Sequence, residues 1–269
     1  MALDECISSY SDVVDFSSLT ARLQPLEVVT VMDHLHTLID EAYSNSDIFI
    51  MEHTSGGCIA ASGLVESLAE ERSRTMSPIS MTDSSYGSEF DLEEAKKQEQ
   101  SSTPRTPQMS TGPLSDMKKH PSHYASLLAT ASLNLMSHST RIVVPSSKTK
   151  QLQLRIALHS GSCSAGVLGL QNSTGASRIP HYKLFGPTIK HTNNLSATGL
   201  ALQIRVSKEC RDLLVTAGGF HFERCPDYLM WARRKPIESY WLVGREGLSL
   251  KLPPLDQALS LSEYEDTEI

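Results

Sequence analysis

The stretch 181–205, HYKLFGPTIKHTNNLSATGLALQIR, leaves few choices for its local fold. Tyr182 to Phe185 reads as a strand end. Gly186-Pro187 is a turn that opens a helix, because proline in a first helical turn gives up an N–H that has no partner there anyway. Leu195 and Ala197 give the helix a modest apolar side, and Gly199 caps its exit into a new strand, Leu202 to Val206. A strand end beside a helix N-terminus favours anions. Such helices also serve simply to support a fold, so the arrangement alone names no function.

The preceding chain supplies the rest of a layered pattern. Residues 5–15 read as a strand ending near Asp12. Pro25 starts a helix, with Leu26, Val29, Met32, Leu35, Leu38 and Ala42 at helical spacing. Asp47 to His53 is a second strand, Ser55-Gly56-Gly57 a hairpin signal, and Cys58 to Leu64 the returning strand. Tyr124, Leu127, Leu128, Ala131, Leu135 and Met136 predict an amphipathic helix beginning near His123. Gln151 to His159 alternates as a strand, Ser160-Gly161 reads as a turn, and Cys163 to Leu168 as another strand. The order β-α-β-β-α-β is the ferredoxin-like split unit, so the expected class is α+β. Lys208 to Val215 follows as a helix, with late strands at Phe220 to Cys225 and Ser239 to Val243.

One segment breaks the pattern. Among the 53 residues of 70–122, 11 are Ser, 5 Thr and 5 Pro, and apolar periodicity is absent. Such a composition does not bury enough apolar surface to offset the entropy of ordering, which predicts a disordered insertion. Ser77-Pro78, Thr103-Pro104 and Thr106-Pro107 are candidate kinase sites within it. The expected organisation is 1–69 and 123–247 as two parts of one domain, 70–122 as the insertion, and 248–269 as an acidic tail.

Composition excludes several classes. A net charge of −7 argues against a nucleic-acid partner. No apolar run reaches membrane-spanning length and no signal pattern opens the chain, so a cytoplasmic location is expected, with membrane association only through a partner or a longer form. The five cysteines are scattered without a Cys-x-x-Cys pair, which points to a reduced compartment and away from zinc.

Four segments together resemble the catalytic domain of class III nucleotidyl cyclases, most closely the guanylate cyclases. These are Ser11-Asp12-Val13-Val14-Asp15-Phe16; residues 25–40 with Asp47 to Glu52 and Ser62-Gly63-Leu64; Leu154 to Gly161 with Ala165 to Gly169; and Tyr182 to Gly186 through Ser196 to Leu200, closed by Ser239 to Gly244. The resemblance implies a head-to-tail dimer with active sites between subunits. It implies in-line attack of a ribose 3′-hydroxyl on the α-phosphate of a nucleoside triphosphate, with two Mg²⁺ or Mn²⁺ ions activating the hydroxyl and clamping the phosphates.

Carried over residue by residue, it also implies losses. Asp12 matches the first metal aspartate, but the second position is Gly56. Glu52 matches the guanine-reading glutamate, and its partner position is Lys183. Pro187 stands where an aspartate normally follows Phe-Gly. The ribose-orienting asparagine is Lys190, the transition-state arginine is Asn194, and the phosphate lysine falls at Ala232, beside Arg233, Arg234 and Lys235. Removing one electrostatic donor typically costs ~10²–10³ in rate. The expectation is a degenerate, dimerising or regulatory cyclase-like domain that pairs with itself or with another cyclase domain. Glu52, Lys183, Lys190 and Arg234 remain as nucleotide-binding candidates for GTP. The alternatives are an active guanylate cyclase making cGMP and pyrophosphate, and a binding module for a non-nucleotide ligand. His159 and His191 read as structural or surface residues.

Overall fold

The computed structural model describes residues 2–45, 47–64, 120–144, 152–168, 181–226, 231–232, 235–236, 238–248 and 252. The insertion expected at 70–122 lies outside them apart from its last three residues, as does the tail apart from Leu248 and Leu252. In chain order the elements are β1 (Ala2–Val13), α1 (Phe16–Arg22), α2 (Pro25–Ala42), β2 (Ile48–Thr54), β3 (Gly57–Ser62), α3 (Pro121–Ser139), β4 (Leu154–Leu168), β5 (His181–Phe185), α4 (Pro187–Ala197), β6 (Ile204–Ser207), α5 (Lys208–Ala217), β7 (Phe220–Arg224), β8 (Trp231–Ala232), β9 (Lys235–Pro236) and β10 (Ser239–Arg245).

β1 is the centre of the split unit. The main sheet runs β2-β3-β1-β4-β6-β10-β7, with β5 pairing onto β4. Its first four strands carry the ferredoxin-like order, with β1 antiparallel to both β3 and β4. A separate β8–β9 hairpin stands off the main sheet.

Alternation along β1 decides which layer covers which face. Ile7 and Val13 enter the main core with Val31, Leu35 and Ile39 of α2, Leu128 and Leu135 of α3, and Cys210 and Leu214 of α5. On the other face the Ser8 and Thr192 hydroxyls hydrogen-bond, which seats α4 against β1. The two faces are therefore covered by different helices.

Several local readings change. α1 occupies residues where no helix is expected. Its first residue follows Asp15, which sits in the left-handed region at φ 56°, a tight corner that periodicity does not reveal. α3 starts at Pro121, two residues before the expected return of order. It is buried on more than one side: Ser132 and Ser139 are buried with its leucines because their hydroxyls bond back to Leu128 O at 2.8 Å and Met136 O at 2.9 Å.

The expected turn at Ser160-Gly161 is not there. β4 is one continuous strand of 15 residues. Ser160 and Gly161 pair with Ile7 and Cys6 of β1. The glycine answers a packing demand instead, since a Cβ at 161 would sit 2.8 Å from Thr188 Oγ1 of α4. A Ser-Gly pair and a helix crossing closely over a strand leave the same mark in sequence.

Candidate functional site

Asp12 lies near the end of β1, opposite Gly57 of β3. The Val13 amide donates to Gly56 O at 2.8 Å, so Asp12 and Gly56 are brought to one corner of the sheet. Gly57 is compelled there, because a Cβ would meet Ser11 O at 2.0 Å. Gly56 is merely crowded: a Cβ would lie 3.3 Å from the Phe16 ring of α1.

The Asp12 carboxylate is already engaged. Arg155 of β4 donates from Nε at 3.0 Å and from Nη2 at 2.7 Å, both to Oδ2. Each side chain of this pair is only 21% exposed. Charge-assisted bonds of this kind are among the stronger ones in proteins. The third arm of Arg155 reaches the Ala197 carbonyl at the C-terminal end of α4, at 3.3 Å.

A second arginine grips the same helix end. Arg205 of β6 is fully buried and donates from Nη1 to Thr198 O at 2.8 Å, while its Nε reaches Ser239 Oγ at 3.0 Å. Burial pulls its pKa down from the usual arginine value, partly offset by Cys225. Cations at a helix C-terminus meet its exposed carbonyls and its negative dipole end. Together the two arginines fix α4, which carries Lys190 and Asn194 four residues apart on one side. Lys190 is exposed and Asn194 half-buried.

The other candidate acid is engaged as well. Lys183 of β5 bonds the carboxylate of Glu52 on β2, joining two strands that do not pair. A register irregularity between Ile50 and Glu52 re-aims the end of β2 that carries the acid. Ala232 lies in β8. Arg233 and Arg234 fall outside the described residues. The structure therefore gathers Asp12 with Gly56, Glu52 with Lys183, and Lys190 with Asn194, as three separate pairs.

His159 stands apart from them. It is buried, with Nδ1 2.8 Å from Ser207 Oγ and 3.7 Å from Glu209 Oε2, and its ring centroid 5.2 Å from that of His191. Burial holds its pKa down at about 4, against the opposing pull of Glu209. It is a structural histidine, as the sequence suggests.

The donor set does not suit a pair of divalent ions. Such ions need several oxygen ligands aimed at one point. Asp12 has one oxygen, Oδ2, held by a guanidinium, and Gly56 contributes no ligand. Among the described residues no group of three or more His, Cys, Asp or Glu is placed to hold a metal. Sequence reasoning passed over Arg155 and Arg205. Neither left a signal, because an arginine alternating with Leu154 and Ile156, or with Ile204 and Val206, reads as the ordinary solvent-facing side of a half-buried strand.

This fold, an α4-covered sheet with paired groups at the strand ends, is that of class III nucleotidyl cyclase domains. The adenylate and guanylate cyclase catalytic domain family matches residues 109–244, about half of the chain, and the chain belongs to that family. Relatives include the speract receptor of Strongylocentrotus purpuratus, 27% identical over 88% of this chain and 16% of the receptor. Human atrial natriuretic peptide receptor 2 is 26% identical over 90% of this chain and 18% of that protein. The chain thus spans about a sixth of the length of these relatives. Among solved structures, the guanylate cyclase domain of RhGC from Catenaria anguillulae in complex with GTP superposes with a TM-score of 0.61, at 15% identity, covering 91% of this chain and all of that one. The adenylyl cyclase CyaB of P. aeruginosa gives 0.59 at 12% identity, covering 93% of this chain and all of that one. None of the described helices is long and apolar enough to cross a membrane.

Proposed function

We propose that this chain is a catalytically degenerate guanylate cyclase domain that works by pairing with a cyclase domain, its own copy or another, in cyclic-nucleotide signalling. One observation carries the reading. Each retained acid is bound by a cation of the same chain, Asp12 by Arg155 and Glu52 by Lys183.

The chemistry follows from charge. Arg155 holds Oδ2 of Asp12, so an ion at Asp12 meets only Oδ1 and sits beside a guanidinium cation that repels it. With Gly56 beside Asp12, no second carboxylate shares the ion. The positions for transition-state charge hold Lys190, Asn194 and Ala232. Lys190 offers one flexible cation, and the neutral Asn194 does little for a developing phosphoryl charge. Any GTP held through Glu52, Lys183, Lys190 and Arg234 is therefore bound without efficient turnover.

Pairing is supported by the β4–β5 arm. Leu168 and Phe185 are 50% and 47% exposed on one face of it, and Val167 45% on the other, which leaves apolar side chains there for a partner to cover. A non-canonical dimeric guanylyl cyclase domain from Blastocladiella emersonii superposes over 91% of this chain with a TM-score of 0.59 at 14% identity, so a domain of this fold does pair with a second copy.

The test is turnover of GTP with Mn²⁺ by the purified chain, alone and mixed with an active guanylate cyclase domain, reading cGMP and pyrophosphate. Altered turnover of the partner, with none from the chain alone, supports the proposal. Product from the chain alone that disappears in Asp12→Ala overturns it in favour of an active cyclase.

A further inference from the structure

We propose that Cys6 of β1 and Cys163 of β4 form an oxidisable dithiol, a modification site at which a peroxide converts two buried thiols into a cross-strand disulfide.

The strand register brings them together. Cys6 lies opposite Gly161, and Leu3 lies opposite Cys163. Three steps along β1 therefore span two steps along β4, so the strand carries one extra residue there. Gly161 and Cys163 point to the same face of β4, and Cys6 points to that face from β1. Cys6 and Cys163 are diagonal neighbours, close enough in antiparallel strands for their side chains to meet. Gly161, directly across from Cys6, has no side chain to separate them. The two side chains pack in one cluster.

Their surroundings favour one reaction. Both are buried in a small apolar cluster with Ala61, Leu64 and Ala165, apart from the main core. Cys163 is 5% exposed and Cys6 fully buried, so a peroxide reaches Cys163 first, which makes it the nucleophile; its interaction with Cys6 also favours its thiolate. Burial raises Cys58 and Cys210 to about 12 and also raises Cys225. The sequence suggests only five scattered cysteines, because residues 6 and 163 become neighbours solely through strand pairing.

The steps balance. The Cys163 thiolate attacks one oxygen of hydrogen peroxide, giving a sulfenic acid and hydroxide. The Cys6 sulfur then attacks the Cys163 sulfur. An S–S bond forms, the S–O bond breaks, and the Cys6 proton and the hydroxyl leave as water. In total, two thiols and one peroxide give a disulfide and two waters. A thiol reductant reverses it.

The site lies beside the residues proposed to hold a nucleotide. A Cβ on Gly186, the residue that caps α4, would touch the Cys163 Cα at 3.5 Å. Met51 and Leu184, which flank Glu52 and Lys183 in sequence, pack on the same cluster. Oxidation would fasten β1 to β4 at the root of the arm proposed for pairing.

The experiment uses the full chain, freshly reduced. It is exposed to hydrogen peroxide, denatured, alkylated and mapped by peptide mass. The result expected is three alkylated cysteines in place of five, a linked Cys6–Cys163 peptide lighter by two hydrogens, and full reversal by dithiothreitol. The linked peptide is absent in Cys6→Ser, whose Cys163 is instead trapped by a sulfenic-acid probe. Five alkylated cysteines after exposure, or a disulfide joining any other pair, overturns the proposal. Because the native chain supplies the decisive map, the outcome does not depend on the variant folding.

Discussion

Both hydrogen bonds that Arg155 makes to Asp12 end on a single oxygen, Oδ2, while the same guanidinium reaches the Ala197 carbonyl at the end of α4. One arginine thus ties the first candidate metal ligand to the helix that carries Lys190 and Asn194. The retained aspartate acts as part of the framework.

That pairing predicts a stability role for Asp12. Asp12→Ala leaves a half-buried guanidinium without its counterion, and should cost about 1–3 kcal/mol in urea denaturation. The Asp12→Ala and Arg155→Met double variant should recover part of that loss. An Asp12→Ala variant as stable as the native chain would show that the pair contributes nothing.

The second pair should behave differently. Lys183 and Glu52 are more exposed, with side chains 35% and 46% accessible, and solvent screens their attraction. Lys183→Ala should therefore change stability by less than about 1 kcal/mol. Differential scanning calorimetry of both alanine variants, run side by side, checks this order.

The two hairpin glycines separate packing from chemistry. Gly57→Ala forces a methyl into the Ser11 carbonyl and should destabilise the chain by about 3 kcal/mol or more, read as a drop in the midpoint of unfolding. Gly56→Asp only presses on Phe16 and should fold. It should still yield no cGMP from GTP, since Asp12 remains bound to Arg155 and Asn194 remains neutral. Measured cGMP above the native chain would show that a second carboxylate is the only missing part.

His159 predicts a pH dependence with a definite sign. Its folded pKa is about 4, below the ordinary value of 6.5, so folding favours the neutral ring. The unfolded chain takes up the proton first. This contribution is complete above pH 6.5 and is lost as pH falls toward 4, at up to about 1.4 kcal/mol per pH unit. Glu209 and His191 face the ring with opposite effects, already included in that value. Urea midpoints measured between pH 7.5 and 4.5 should converge for native and His159→Gln as the pH drops.

Assembly rests on the arm. Phe185→Asp, at a side chain 47% exposed, should leave the chain folded by circular dichroism and weaken self-association or partner pairing at least tenfold in sedimentation. Unchanged association would move the pairing surface elsewhere.

Much of the fold was legible because alternation and helical spacing are local. The periods along α2 and the first half of β4 place their apolar faces without knowledge of any neighbour. The misreadings were equally physical. Gly161 signalled a turn, since sequence does not distinguish a glycine needed for backbone freedom from one needed to admit Thr188. α1 escaped notice because its corner rests on a left-handed Asp15, and nothing local announces it.

The sequence by itself determined the layered class and the family, because those depend on residue type and order. Only the tertiary structure decided that Asp12 and Glu52 are held by Arg155 and Lys183, and that Cys6 meets Cys163. Those partners lie more than a hundred residues apart along the chain. Strand pairing and sheet curvature bring them within bonding distance, and a hydrogen bond is sensitive to fractions of an ångström that no residue pattern encodes.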